Sequence, residues 1–356
     1  MRIAIFGLTV STAWGNGHAA VWRSLVQGLT ARGHYVEFFE KDAPNHRAHR
    51  DLRELPRPAR LRLYSSWDEV RGEAEAATAA ADAAIVSSYC PDGRAACRLV
   101  LDSKASARVF YDLDTPVTLA RLRENQDVPY LPAEGLGEFD LVLSSTGGRA
   151  LDLLRDRLGA RRVAPLYGSV DPARYRPVAP QAAWAGACSY LGTWYDDRQA
   201  ALEALFVSAA RRYPEQLFVI GGSKLPEHVR WPRNVVHFEH VPPSACSAFY
   251  CSSPITISVT RAALAELGYC PPGRLFEAAA CGVPVLADTW EGLGTFFTPG
   301  EEILTAASID EAIASLRLPR AELARIGKRA RARALDEHSG ERRAAQLIAL
   351  VETAAR

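Results

Sequence analysis

Four groups of side chains in this sequence have the types and spacing to do chemistry. The first is Glu277, a carboxylate kept on a short helix expected over Arg274–Cys281, whose Leu275, Phe276, Ala279 and Ala280 fall at helical spacing. Placed in the first turn, such an acid suits the positive end of the helix dipole. The second group is cationic: Arg198 shortly after Gly192, Lys224 in Gly221-Gly222-Ser223-Lys224, and Arg274 directly after Gly273. Cations and backbone N–H groups of this kind can neutralise an anionic ligand, which supplies affinity and stabilises developing negative charge. The third group is two glycine loops, Gly15-Asn16-Gly17 and Trp290-Glu291-Gly292-Leu293-Gly294, each ahead of an expected helix. There, unpaired N–H groups, those of Gly15, Gly17, Gly292 and Leu293 among them, can meet an anion or a hydroxyl-rich ligand. The fourth is His18, behind the first loop, together with Asp112-x-Asp114. Imidazole titrates near neutrality, so His18 or Asp114 could take a proton from a hydroxyl, and the two aspartates imitate a metal-binding pair.

The elements that must position these groups alternate. Arg2–Gly7 reads as a strand, about Gly17–Ala31 as a helix and Tyr35–Phe39 as the next strand, a βαβ opening that predicts a parallel sheet. Further strands are expected at Ala83–Ser88, Ala107–Tyr111, Asp140–Ser144 and Arg162–Leu166. Residues 43–63, rich in Pro, Arg and His, read as a surface excursion. The second half starts afresh with strands at Ser189–Gly192, Gln216–Gly222, Asn234–Phe238, Pro254–Val259, Val283–Ala287 and Ile303–Thr305. It closes on a helix, His338–Ala355. Two doubly wound α/β domains follow, with ligands expected beyond the carboxyl ends of the strands.

A chain of 356 residues is comfortable for two such domains. The net charge of +1 gives no reason to expect a nucleic-acid surface, and no apolar run is long enough to span a membrane. Seven cysteines form no C-x-x-C pair and no zinc spacing, which reads as free thiols in a reducing compartment. With no signal peptide read in MRIAIFGL, a cytoplasmic protein is expected.

Glu277-Ala-Ala-Ala-Cys-Gly-Val-Pro-Val285 resembles the E-A-x-A-C-G-x-P-V segment of nucleotide-sugar glycosyltransferases of the GT-B architecture, two Rossmann-like domains facing a central cleft. Together with ISVTR, YCPPGRLF and EGL…FF.PGEE, it is most similar to the CgeB-like, spore-protein glycosyltransferase-like branch. The resemblance implies an acceptor-binding domain over 1–178, a nucleotide-sugar-binding domain over 179–335 and a terminal helix, 336–356, returning to the first domain. It implies that Glu277 holds the ribose hydroxyls of the donor and that Arg198 stands where a pyrophosphate-binding cation is usual, with Lys224 and Arg274 competing for that role. Many retaining members carry a second glutamate where this chain has Tyr269. Tyr190 or Trp194 could stack on the base.

The implied activity is transfer of a sugar from a nucleoside-diphosphate sugar to an acceptor hydroxyl of a saccharide, natural product or protein. A retaining course is favoured, without a metal or further cofactor. If the course is inverting, His18 or Asp114 is the base. Two rival readings stand beside it. Gly15-Asn16-Gly17-His18-Ala19-Ala20 matches G-x-G-x-x-A, and with Glu40 on a ribose it would suit an NAD(P)-dependent oxidoreductase. Tyr269 in place of the second glutamate would suit a non-catalytic descendant of the fold.

Overall fold

The computed structural model describes residues 1–14, 17–222 and 229–356, and the chain divides into two compact units: Met1–Ser169 with Gly340–Arg356, and Val170–Ser339. The first unit is built on β1 (Arg2–Gly7), β2 (Tyr35–Lys41), β3 (Arg60–Tyr64), β4 (Ala83–Ser87), β5 (Ala107–Asp112), β6 (Leu141–Ser144) and β7 (Val163–Pro165). They form one parallel sheet in the order β3-β2-β1-β4-β5-β6-β7. Successive residues of a strand face opposite sides, and the sequence supplies apolar side chains to both. Ile3, Ile5, Ile85, Val109 and Tyr111 pack with Trp22, Leu25 and Leu29 of the helix His18–Ala31 and with Leu347 and Val351 of the terminal helix. Ala4, Phe6, Val86 and Phe110 face the other way, onto Val70, Cys97, Val100 and Leu154. The terminal helix Gly340–Ala354 lies along His18–Ala31, where only a glycine at 28 leaves room for the Gly340 backbone.

The second unit repeats the plan with β8 (Cys188–Leu191), β9 (Phe218–Gly221), β10 (Val235–Phe238), β11 (Thr256–Ser258), β12 (Val285–Ala287) and β13 (Leu304–Thr305), parallel and ordered β10-β9-β8-β11-β12-β13. In each sheet the chain first winds outward on one side, from β1 or from β8. It then returns to wind outward on the other, so the strand order reverses between β1 and β4 and between β8 and β11. Ligands of open α/β sheets bind beyond the strand ends at such points.

Three details differ from expectation. Residues 43–63 are not wholly an excursion: Arg60-Leu61-Arg62-Leu63-Tyr64 is the edge strand β3, whose alternation is muted because Leu63 stays 38% exposed. Glu277 lies in the second turn of its helix, which begins at Gly273, so the helix dipole does not account for it. The units meet at Ser169/Val170 and Ser339/Gly340, against the expected 178/179 and 335/336. Residues 170–187 are tied into the second unit: Ser247 Oγ donates to the Arg174 carbonyl at 2.8 Å, and Trp184 packs on Phe238 and Phe249.

Candidate functional site

Beyond β8 of the second unit, Arg198, Arg274 and the Gly192 turn come together. Arg274, in the first turn of Gly273–Ala280, sends its guanidinium to the end of β8. There Nη1 donates to the Tyr190 hydroxyl at 3.2 Å, and the group lies 5.4 Å from the Tyr190 ring centre. Gly192 is required for this approach, since a Cβ there would sit 2.7 Å from Nη1. Arg198, 9% exposed, is anchored through Nη1 to the Thr193 carbonyl at 3.2 Å, while its Nε is buried with no partner among the described residues.

The two guanidinium groups act on one phenol and on each other. Burial, followed by the charge of Arg274, lowers Arg198 from its ordinary value to about 10. Burial pushes the Tyr190 hydroxyl up, but Arg274 and Arg198 outweigh it and hold that hydroxyl below its usual range. Among the described residues no carboxylate forms an ion pair with either arginine. Burial lowers Arg274, but Tyr190, Tyr250 and Glu277 outweigh it and hold it above its ordinary value, so the cost of the pair falls on Arg198, which an anion beside it would relieve.

Around this pair stand neighbours that hold it in shape. Arg261, just after β11, is paired with Asp197 at 3.0 Å and lies 4.4 Å from the Tyr195 ring, which Arg198 also faces at 5.2 Å. Asp288, beyond β12, accepts from the Thr260 N–H at 3.0 Å and from its hydroxyl at 3.1 Å, joining the ends of β11 and β12. Burial raises the Asp288 carboxyl above its ordinary value.

Glu277 is half-buried one turn beyond Arg274, and its Oε2 accepts from the Tyr250 hydroxyl at 2.9 Å. The Tyr175 hydroxyl also faces it, and burial with the Glu277 charge pushes both phenols far up. Gly273, exposed, is the first residue of the helix. In the loop after β12, Gly292 adopts φ +89° and opens the short turn Leu293–Thr295, but the Leu293 N–H already donates to the Trp290 carbonyl at 3.3 Å. Tyr269, itself at φ +47°, lays its ring against Gly292, and its N–H donates to the Glu291 carbonyl at 2.6 Å. The residue standing where the second glutamate is usual therefore braces this loop. Tyr190 is 2% exposed and offers no face for a base, while Trp194 sits edge-on to Trp231 at 6.2 Å.

In the first unit, the ends of β1, β4 and β5 bring His18, Tyr89 and Asp114 together. His18, 8% exposed, has Nε2 3.7 Å from Asp114 Oδ2, and its ring meets the Tyr89 ring edge-on at 5.4 Å. Its Nδ1 is buried with no partner among the described residues. Tyr89 holds φ +61°, an uncommon conformation for a bulky side chain, which turns it back over the strand ends. Gly17 caps the His18 helix.

Asp112 and Asp114, equivalent in sequence, are separated by the fold. Asp114 keeps a third of its side chain exposed, whereas Asp112 is fully buried, accepts the Asp114 N–H at 3.0 Å, and is raised by burial to about 6. They do not present a shared pair of oxygens. Gly15 and Lys224 lie outside the described residues.

The structure also shows a role that sequence reading missed. Glu40 is fully buried, and its carboxylate accepts from Thr9 Oγ1 (2.9 Å), Val10 N (2.7 Å), Ser11 N (2.9 Å) and Ser11 Oγ (2.5 Å). It fastens the loop after β1 and has no oxygen left for a cofactor ribose, which removes the ribose ligand that the oxidoreductase reading called on.

Residues 198–349 match a family described as glycosyl transferase-like, a match that takes in Arg198, Arg274 and Glu277. Similar solved structures include sucrose-phosphate synthase from Thermosynechococcus elongatus, at a TM-score of 0.71 and 18% identity, covering 99% of this chain and 98% of that one. Anabaena HepE in complex with UDP and glucose follows at 0.65 and 12%, covering 99% and 100%. The catalytic domain of Arabidopsis thaliana starch synthase IV bound to ADP and acarbose gives 0.66 and 11%, with 99% of each covered. A comparison with curated proteins gave no match. The chain has the GT-B fold, two Rossmann-like units with parallel sheets. Among the described residues, no helix is long and apolar enough to cross a membrane.

Proposed function

We propose that the chain is a glycosyltransferase that moves a sugar from a nucleoside-diphosphate sugar to an acceptor hydroxyl, with the donor held by the second unit. The observation that carries this reading is the Arg198–Arg274 pair gathered on Tyr190 and Gly192 beyond β8, beside the reversal of strand order. A diphosphate would satisfy both guanidinium groups, which match phosphate oxygens in charge and shape. HepE and the starch synthase were crystallised with UDP and ADP, which favours the same class of ligand here. Glu277, oriented by Tyr250, would accept the ribose hydroxyls as donors. The resemblance of Glu277–Val285 to the CgeB-like branch supports that role.

In the reaction the bond between the anomeric carbon and the diphosphate oxygen breaks, a bond to the acceptor oxygen forms, and the acceptor proton leaves. Charge grows on the diphosphate as it departs, where Arg198 and Arg274 stabilise it most. Two guanidinium groups can do this without a metal, so a chelator is expected to leave turnover intact. A retaining course asks for no protein base, and His18 would then bind the donor sugar or the acceptor. The approach of Asp114 to His18 favours a second, inverting course, in which His18 takes the acceptor proton. The anomeric configuration of the product, read by NMR, separates them.

The test of the reading is a thermal-shift panel of UDP, GDP, ADP and NAD. A ligand present at 100 times its Kd should stabilise by about 2.7 kcal/mol. Response to a nucleoside diphosphate and loss of that response in the Arg198→Met, Arg274→Met double variant are expected. No response to any nucleoside diphosphate would leave a non-catalytic member of the fold.

A further inference from the structure

Apart from the arginine pair and the His18 cluster, the second unit holds a thiol pair that the proposed reaction does not use. Cys251 ends the helix Cys246–Cys251 and is half-exposed; Cys281 caps Gly273–Ala280 and is 3% exposed. They are thirty residues apart in sequence, yet the Cys251 thiol donates to the Cys281 carbonyl at 3.8 Å. Cys281 is also 3.6 Å from Ser247 Oγ. Among the described residues, Cys251 is the one cysteine that is not buried; Cys90, Cys97, Cys188, Cys246, Cys270 and Cys281 all are.

From this geometry we infer that Cys251 and Cys281 form a reversible oxidative modification site, in which a peroxide converts the two thiols to a disulfide. Cys251 is the half that solvent reaches. The neighbouring Cys281 thiol holds Cys251 below the ordinary thiol range, which favours its reactive thiolate, while Cys251 and burial push Cys281 up. The Cys251 thiolate attacks one peroxide oxygen; an S–O bond forms, the O–O bond breaks and hydroxide leaves, taking up a proton to become water. Cys281 sulfur then attacks the Cys251 sulfenic acid; the S–S bond forms, the S–O bond breaks, and a second water leaves with the Cys281 proton. Two thiols lose two electrons, and the peroxide gains them. A dithiol reductant reverses the change by exchange.

The crosslink would fall between the two helices that already meet through Tyr250 and Glu277, beside Tyr250 and one turn beyond Glu277. Burial of Cys281 makes the intramolecular partner the one at hand, because an external thiol or a second peroxide must come from solvent.

The test uses the full chain, reduced, treated with hydrogen peroxide and then unfolded with an alkylating agent. Two of its seven thiols are expected to be lost, with a crosslink between Cys251 and Cys281 in the peptide map. The same crosslink should persist in Cys246→Ser, disappear in Cys251→Ser, and be reversed by dithiothreitol. In Cys281→Ser, Cys251 should instead be trapped as sulfenic acid by dimedone. Retention of all seven thiols, pairing of Cys251 with another cysteine, or oxidation of Cys251 to sulfinic acid without a crosslink in the wild type would each overturn the inference. The readout is covalent, so it is independent of whether any nucleotide binds.

Discussion

Replacing Arg274 by methionine keeps the length and packing of the side chain and removes one cation from the pair beyond β8. Without ligand the two effects nearly balance. Holding Arg198 charged at its site, about 10 against an ordinary 12.5, corresponds to roughly 3 kcal/mol, with burial the larger cause and Arg274 the next. Removing Arg274 therefore relieves part of that cost and gives up a hydrogen bond to Tyr190 worth about 1 kcal/mol. The unliganded variant should unfold within about 1 kcal/mol of the parent. With a nucleoside diphosphate the balance changes, because a hydrogen bond to a charged group contributes about 1.5–3 kcal/mol. UDP affinity should fall by about 10- to 150-fold by calorimetry, at about 1.4 kcal/mol per factor of ten. Uridine, which carries no phosphate, should bind parent and variant alike. UDP affinity within about twofold of the parent in a variant of unchanged stability would refute the placing of the diphosphate on this pair.

The remaining predictions concern single carboxylates. Asp112 is raised to about 6 in the fold, so its charge destabilises the protein: the cost is absent below about pH 3.8, grows as pH rises to about 6, and is complete above it. Asp112→Asn should accordingly gain up to about 3 kcal/mol at pH 7.5 and nothing at pH 3.5, read from urea unfolding at the two values. Glu40→Gln puts an amide among four donors and should lower stability by about 2–4 kcal/mol in the same assay. Glu277→Ala should reduce donor affinity by roughly 10- to 100-fold with the circular dichroism spectrum unchanged, while Tyr250→Phe, which loses only the orienting bond, should cost less than about fivefold. Equal affinities in parent and Glu277→Ala would remove the ribose assignment.

Much of the fold was readable because its strands are buried on both faces and so appear as short apolar runs between turns, as in Val283–Ala287 and Ala107–Tyr111. The strand at 60–64 was not, because an edge strand has one neighbour and tolerates arginine at alternate positions. The candidate site was legible where backbone chemistry leaves a mark: glycine at 192, 282 and 292, and the acid on an apolar helix. It was illegible where a side chain could serve two purposes. Glu40 and Asp112 look like ligand-binding acids in sequence, and both are consumed by their own loops.

The sequence by itself determined the alternation of strands and helices, the existence of two half-chains of one plan and the candidacy of Glu277, since these depend on local periodicity and turn chemistry. Tertiary structure alone decided that Arg198 and Arg274 share one phenol, that Asp114 and not Asp112 stands by His18, and that Cys251 touches Cys281. Those pairings join residues far apart in the chain, and the distance between such residues is set by the order of strands in a sheet, which no local pattern encodes.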